Sequence, residues 1–299
     1  MKYPSFILNI LRHRLERINK KWRPLAPTKD FACRLDIPYI NDNSVYHSFD
    51  VVYGSGEKKD ICIIDIHGGA YYFRNTHRDN FFFAAHFAKQ GFDFALLDYI
   101  PNNGKRGVED QFQDVLKNIE YIFTHLKELN LENKKFFFAG DSAGGHFALL
   151  AYILYINKEL QKEFNVELSD IQPLGVLVNS PVYNFAYIGS TLSKGAQKKM
   201  FGPNYLKNEK LKRLLSVRTH IDLLKGANIF LSTCKQDFIR QEPMMFKKDL
   251  ENKGIPFTFV DIDSDKKKID HVHNVLRPTL PESVIVNEAM VKFLSEKAK

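Results

Sequence analysis

Gly140-Asp141-Ser142-Ala143-Gly144-Gly145 follows the apolar run at residues 135–139 and precedes a helix-forming stretch at 146–156. A glycine-flanked serine between a strand and a helix is the pattern of a nucleophile elbow, a sharp strained turn that thrusts the hydroxyl off a sheet's carboxyl edge. Side chains at Gly140 and Gly144 would collide with neighbouring backbone in such a turn. The Ala143 N–H, at the head of the new helix, is left unpaired beside whatever Ser142 attacks. Upstream, His67-Gly68-Gly69-Ala70-Tyr71-Tyr72 directly follows a second apolar run at 60–66. A loop free of side chains past a strand end lets the Gly68 and Gly69 amides converge on one point, the other half of an oxyanion hole. Downstream, Asp237 stands just past the apolar run 227–234, and His271 lies in the loop beyond 256–262. Serine, acid and histidine in this order suit acyl transfer, with Ser142 as nucleophile, His271 as base and Asp237 orienting the imidazole.

These groups need a scaffold that brings several strand ends to one edge. Strand and helix patterns alternate along the chain, which implies an α/β fold with a mostly parallel sheet and helices on both faces. Strands are expected at 34–40, 48–53, 60–66, 92–99, 135–139, 173–179, 227–234 and 256–262. Helices are expected at 79–90, 108–129, 146–156 and 282–297. The segment 183–225 breaks the alternation with a separation far longer than an ordinary crossover, and it reads as a cap over the substrate pocket.

The motifs His67-Gly68-Gly69-Ala70-Tyr71, Gly140-Asp141-Ser142-Ala143-Gly144-Gly145, Asp237 and His271-Val272-His273-Asn274-Val275-Leu276 resemble those of the α/β-hydrolase superfamily, and within it the hormone-sensitive-lipase-like esterases. The likeness spans roughly residues 35–298. It implies an α/β-hydrolase domain at 31–299 with a cap insertion at 183–225, preceded by an N-terminal helical cap element at 1–30. Ala70 stands where the family often has a third glycine, and His273 where it usually has an aromatic residue. The resemblance implies a carboxylic ester hydrolase working through an acyl-enzyme, with no metal or organic cofactor. Ala70, Tyr71, Tyr72, Asp141 and His273 are expected to line the pocket, and the rings after the oxyanion loop point to short acyl groups. The same machinery can cleave amides such as arylformamides, or remove acetyl groups from sugars. From another class, some proteins of this fold are non-catalytic ligand binders, a reading that predicts a missing triad member, and none is missing. His273 is the rival to His271 as base. His67 is expected to hold its loop by hydrogen bonding, and His146 to be packed inside a helix.

Composition narrows the rest. A chain of 299 residues with 44% hydrophobic content and 25 phenylalanines has ample material for one large core. Cys33, Cys62 and Cys234 form no metal-like spacing and are odd in number, so a reduced cytoplasm is expected. Residues 1–23 carry seven Lys and Arg against Glu16 alone, which places +6 of the net +8 there. The basicity is therefore a property of one segment and no sign of nucleic-acid binding. A dinucleotide fold is excluded by the lack of G-x-G-x-x-G after the first strand. Ile7, Leu8, Leu11, Leu15, Ile18 and Trp22 recur at helical spacing in the same segment, which predicts an amphipathic helix ending at Pro24. Two placements are open to it. The resemblance favours packing over the site mouth, and the charge suits an anionic membrane surface.

Overall fold

The structure, a computed structural model, describes residues 2–22, 26–73, 76–102 and 104–297. Its strands are β1 (Cys33–Pro38), β2 (Ser48–Val52), β3 (Ile61–Ile66), β4 (Asp93–Leu97), β5 (Lys135–Asp141), β6 (Gly175–Asn179), β7 (Asn228–Cys234) and β8 (Thr258–Ile262). The helices are α1 (Ser5–Trp22), α2 (Phe81–Ala88), α3 (Val108–Thr124), α4 (Ala143–Ile156), α5 (Lys158–Phe164), α6 (Phe185–Thr191), α7 (Lys194–Phe201), α8 (Glu209–Leu215), α9 (Gln241–Lys253), α10 (His273–Leu276) and α11 (Pro281–Lys297).

All eight strands join one sheet in the order β1-β2-β4-β3-β5-β6-β7-β8. The β1–β2 and β2–β4 pairs are antiparallel and the remaining pairs parallel. The parallel strands are apolar on both faces because helices cover both. Successive residues of β3 and β5 divide between two cores, as the strand period demands. Cys62, Ile64, Ile66, Phe136 and Phe138 face the layer that includes α3 and α4, whereas Ile61, Ile63, Phe137 and Ala139 face that of α2 and α11.

The expected strands form within one or two residues of their predicted ends. α3 stops at Thr124, five residues before the predicted end. The Thr124 hydroxyl donates back to the Glu120 and Tyr121 carbonyls, a local bond that competes with helix continuation. α5, α9 and the short α10 were not foreseen individually. The 183–225 segment holds α6, α7 and α8. Phe185, Phe201 and Tyr205 pack together there and against Tyr71 and His146. α1 forms as expected, although the side chains of Ile7, Leu11, Leu15, Ile18 and Trp22 lie outside the described residues.

Candidate active site

Parallel strands end at the same edge of a sheet, so the carboxyl ends of β3, β5, β7 and β8 deliver their following loops to one place. Ser142 is the residue between β5 and α4. It sits at φ +53°, ψ −116°, a conformation that non-glycine residues rarely adopt. Its amide donates to the Asn179 carbonyl, and its carbonyl accepts from Val182 N–H. The turn is thus clamped to β6 while the side chain stays partly open. Gly144 allows the close approach behind it, because a Cβ there would overlap the Ile66 and His67 carbonyl groups.

Asp237 and His271 meet as expected. His271 Nδ1 donates to Asp237 Oδ1 at 2.8 Å. The same oxygen accepts from Ile239 N–H, and Asp237 Oδ2 accepts from the Thr233 hydroxyl. The carboxylate side chain is fully buried, while the imidazole is 13% exposed. Burial pushes the His271 pKa down, but the Asp237 carboxylate, with Asp141 and Asp270 beyond it, outweighs that and raises it above 6.5. Burial raises the Asp237 carboxyl, and His271 with neighbouring hydrogen bonds brings it below 3.8. Val272, a β-branched residue at φ +49°, turns the chain beside the imidazole. No hydrogen bond joins Ser142 Oγ to His271 among the described residues, a link that often tightens only when substrate is bound.

The loop after β3, expected to supply an oxyanion hole, departs from that expectation. The Gly68 amide donates to Asp141 Oδ1 at 2.9 Å, so it is not available to a substrate oxygen. The donors left on the loop are one residue further on. Gly69 and Ala70 are partly exposed, and their amides make no hydrogen bond among the described residues. Ala70 and Tyr71 take φ +50° and +60° to turn the loop back, and Tyr72 and Phe73 N–H both close onto the Gly69 carbonyl. Ala143 keeps its expected place as the first residue of α4.

Three expected pocket residues are internal instead. Tyr71 is buried, edge-on to His146, Phe147, Phe185 and Phe201, because the loop's left-handed turn swings it inward. Asp141 is buried and ties the elbow to the oxyanion loop. His273 is buried with Nδ1 against the Ser283 hydroxyl at 2.9 Å, and burial takes its pKa down to about 4. No hydrogen bond joins it to Asp237 among the described residues, and the imidazole hydrogen-bonded to the acid is that of His271. Ala70 and Tyr72 stay partly exposed at the site. Tyr72 is tied to α1, its hydroxyl donating to Asn9 Oδ1 and its ring lying under the Arg12 and Lys199 cations.

Sequence reasoning missed a buried polar frame behind the loop. His67 Nδ1 donates to the Gly68 carbonyl at 2.6 Å, and Nε2 lies 3.0 Å from Asp98 Oδ1. Asp98 Oδ2 meets His77 Nδ1 at 2.8 Å, and His77 Nε2 meets Asp50 Oδ2 at 3.0 Å. Arg78 closes the chain on Asp50 and Asp36. Asp36, Asp50 and His77 have the spacing of a metal-ligand group, but Arg78 already occupies both carboxylates. Asn80 donates to both Asp65 and Asp141, at 2.8 and 3.1 Å. Burial and the neighbouring Asp141 raise Asp65 to about 7. Phe238 was also missed. It follows Asp237 directly, is 65% exposed, and its ring centroid lies 4.5 Å from that of His271. Lone residues of this kind carry no periodic signal.

The strand order, the strained serine after β5 and the acid–histidine pair past β7 and β8 place the molecule in the α/β-hydrolase fold class. The chain belongs to the BD-FAE family, whose model matches residues 49–240. Among solved structures, esterase B from Lactobacillus rhamnosis superposes with a TM-score of 0.77 at 18% identity, covering 95% of each chain. A bacterial heroin esterase gives 0.72 at 15% identity, covering 100% of this chain and 94% of that one. An esterase from Pyrobaculum calidifontis gives 0.69 at 14%, covering 98% and 94%. No curated protein sequence matches the chain significantly.

Proposed function

We propose that this protein is a serine hydrolase that cleaves short-acyl carboxylic esters through an acyl-enzyme. The observation that carries the reading is the Asp237–His271 pair at the sheet edge where Ser142 is held in a strained, partly open turn. Neutral His271 accepts the Ser142 proton as Oγ attacks the carbonyl, and Asp237 holds Nδ1–H and stabilises the imidazolium. The Gly69, Ala70 and Ala143 amides receive the developing oxyanion, where one donor is typically worth about 3 kcal/mol. The imidazolium then returns its proton to the leaving alcohol, and water repeats the sequence to release the acid. The esterases among the structural neighbours support this choice of substrate class. The short-acyl preference rests on Tyr72, pinned by α1 at the loop, and on the α6–α8 segment as the cap.

A fluorophosphonate label followed by peptide mass spectrometry tests the nucleophile, and p-nitrophenyl esters from acetate to palmitate test the acyl preference. The expected result is a single adduct on Ser142 and best turnover at roughly two to six carbons, the depth that bulky rings beside the loop allow. An adduct on another serine, or a best substrate with a long chain, overturns the corresponding part.

A further inference from the structure

The two faces of α1 have different surroundings. Inward, Leu8 is buried and Asn9 and Arg12 hold Tyr72. Just before the helix, the Tyr3 backbone pairs with Thr191 and Ser193, fixing this end to α6 and α7. Outward, Phe6, Ile10, His13, Arg17 and Lys20 follow at spacings of four, three, four and three, which aligns them along one ridge. The whole ridge is exposed. Phe6 and Ile10 are each 60% exposed, the His13 side chain 65%, and Arg17 and Lys20 are open as well. Its leading half is apolar and its trailing half basic. Glu16, the one acid of the segment, lies 3.6 Å from Arg12 on the inner side and 3.6 Å from His13 on the ridge, which leaves Arg17 and Lys20 as the cations of the trailing half.

A single exposed hydrophobe is ordinary surface, but two large ones in successive turns, continuing into cations, form a patterned contact. An anionic bilayer matches both halves, since the apolar tip enters the headgroup–acyl boundary while the cations meet lipid phosphates. A second copy of the helix matches neither. Parallel pairing sets Arg17 and Lys20 against their own copies, and antiparallel pairing sets them against Phe6 and Ile10. None of the described helices is long and apolar enough to cross a membrane.

We infer that α1 docks the protein onto an anionic lipid bilayer through this ridge while its inner face stays on the body of the molecule. The inference does not depend on the catalytic reading, because it is tested by binding. The full chain is sedimented with vesicles of phosphatidylcholine alone and of phosphatidylcholine mixed with phosphatidylglycerol. Binding to the mixed vesicles only is expected, weakening as salt is raised. Phe6→Ser/Ile10→Ser should weaken it at least about tenfold at every salt concentration, and Arg17→Gln/Lys20→Gln should do so most strongly at low salt, where the cations are least screened. Thermal melting of both variants, expected at the wild-type temperature, shows that they are folded. Three results overturn the inference: no wild-type binding to mixed vesicles, binding that neither pair of substitutions changes, or a concentration-dependent dimer that Phe6→Ser/Ile10→Ser abolishes.

Discussion

Two histidine–carboxylate assemblies lie on either side of the Ser142 turn, and their difference is in what the imidazole nitrogens have left to do. In the assembly past β7 and β8, His271 spends one nitrogen on Asp237, and Nε2 makes no hydrogen bond among the described residues. In the assembly behind the loop after β3, His67 Nδ1 is hydrogen-bonded to the Gly68 carbonyl, while His67 Nε2 and both His77 nitrogens lie 2.8–3.0 Å from Asp98 and Asp50 as buried ion pairs, and both side chains are 3% exposed. The first can exchange a proton with a visitor. The second is a closed chain of alternating charge that ends on Arg78, and its use is to hold the His67–Gly68 backbone where the loop begins. On the proposed function, the same two side-chain types thus make a reactive pair or a structural frame according to what surrounds them, not identity.

The contrast breaks most directly by deletion. Ser142→Ala should lower ester turnover by roughly 10⁴-fold or more while leaving the melting temperature nearly unchanged, because it removes a partly open hydroxyl from the reaction rather than from the core, and His271→Ala should lower turnover as far with a moderate loss of stability, since buried Asp237 loses its partner. His77→Ala should show the reverse. It leaves Asp98 and Asp50 buried without their cation, and breaking such a pair costs about 3–5 kcal/mol, measured by denaturant unfolding. The molecules still folded should keep the wild-type pH profile. Full stability in His77→Ala would show that the frame carries nothing.

A pH series sharpens the comparison, since the two assemblies respond in opposite directions. On the proposed mechanism turnover needs neutral His271, whose pKa is raised above 6.5, so kcat/KM should climb with pH through a midpoint above that value. Asp237→Asn removes the cause of the rise and should move the midpoint down along with the rate. His77 is lowered by burial but raised more by Asp98 and Asp50, to about 10. Its folded pKa exceeds its unfolded one, so its contribution to stability is complete below 6.5 and is lost as pH rises from 6.5 toward 10. Asp98 and Asp50 are held below 3.8, so their share is present above 3.8 and disappears as pH falls below it. The frame is firmest between these limits. The melting temperature should therefore fall across pH 6.5–10, and His77→Gln should flatten that fall. A slope unchanged in the variant would assign it to other groups.

The legibility of these two regions in the sequence differs for a physical reason. Ser142 and Asp237 each stand just past an apolar run and His271 lies in the loop after another, so strand periodicity together with the motifs brought them to one edge, and the parallel order of β5, β7 and β8 followed from alternation. The frame is made of residues whose partners come from β2, β4 and the turn before α2, and no local pattern announces that Asp98 will lie between two histidines. His273 misled because it sits two positions from His271 on the chain, yet α10 turns it into the core. Gly68 misled by a single residue. Its place in the motif was legible, but the occupation of its amide depended on where Asp141 points. The hydrophobes of α1 that the structure describes as exposed, Phe6 and Ile10, fall outside the stripe picked from the sequence.

The smallest expected effect concerns the loop that the frame holds. Ala70 adopts φ +50°, where a Cβ costs about 1–2 kcal/mol. Glycine removes that strain but gives the unfolded chain more freedom, an offset of about 0.4–1 kcal/mol. Ala70→Gly should therefore stabilise the protein by about 0.5–1 kcal/mol in denaturant unfolding. Its rate should change by less than about threefold, because the backbone amides of residues 69 and 70 stay in place while His67 and Asp141 fix the start of the loop. Gly68→Ala is the matched control. A Cβ there overlaps the Asp141 carboxylate, so the clamp between loop and elbow must shift and turnover should fall with stability. A drop in rate for Ala70→Gly as large as that for Gly68→Ala would locate the rigidity of the loop in the strained residue itself, and the buried frame would then be a consequence of the fold rather than what positions the amides.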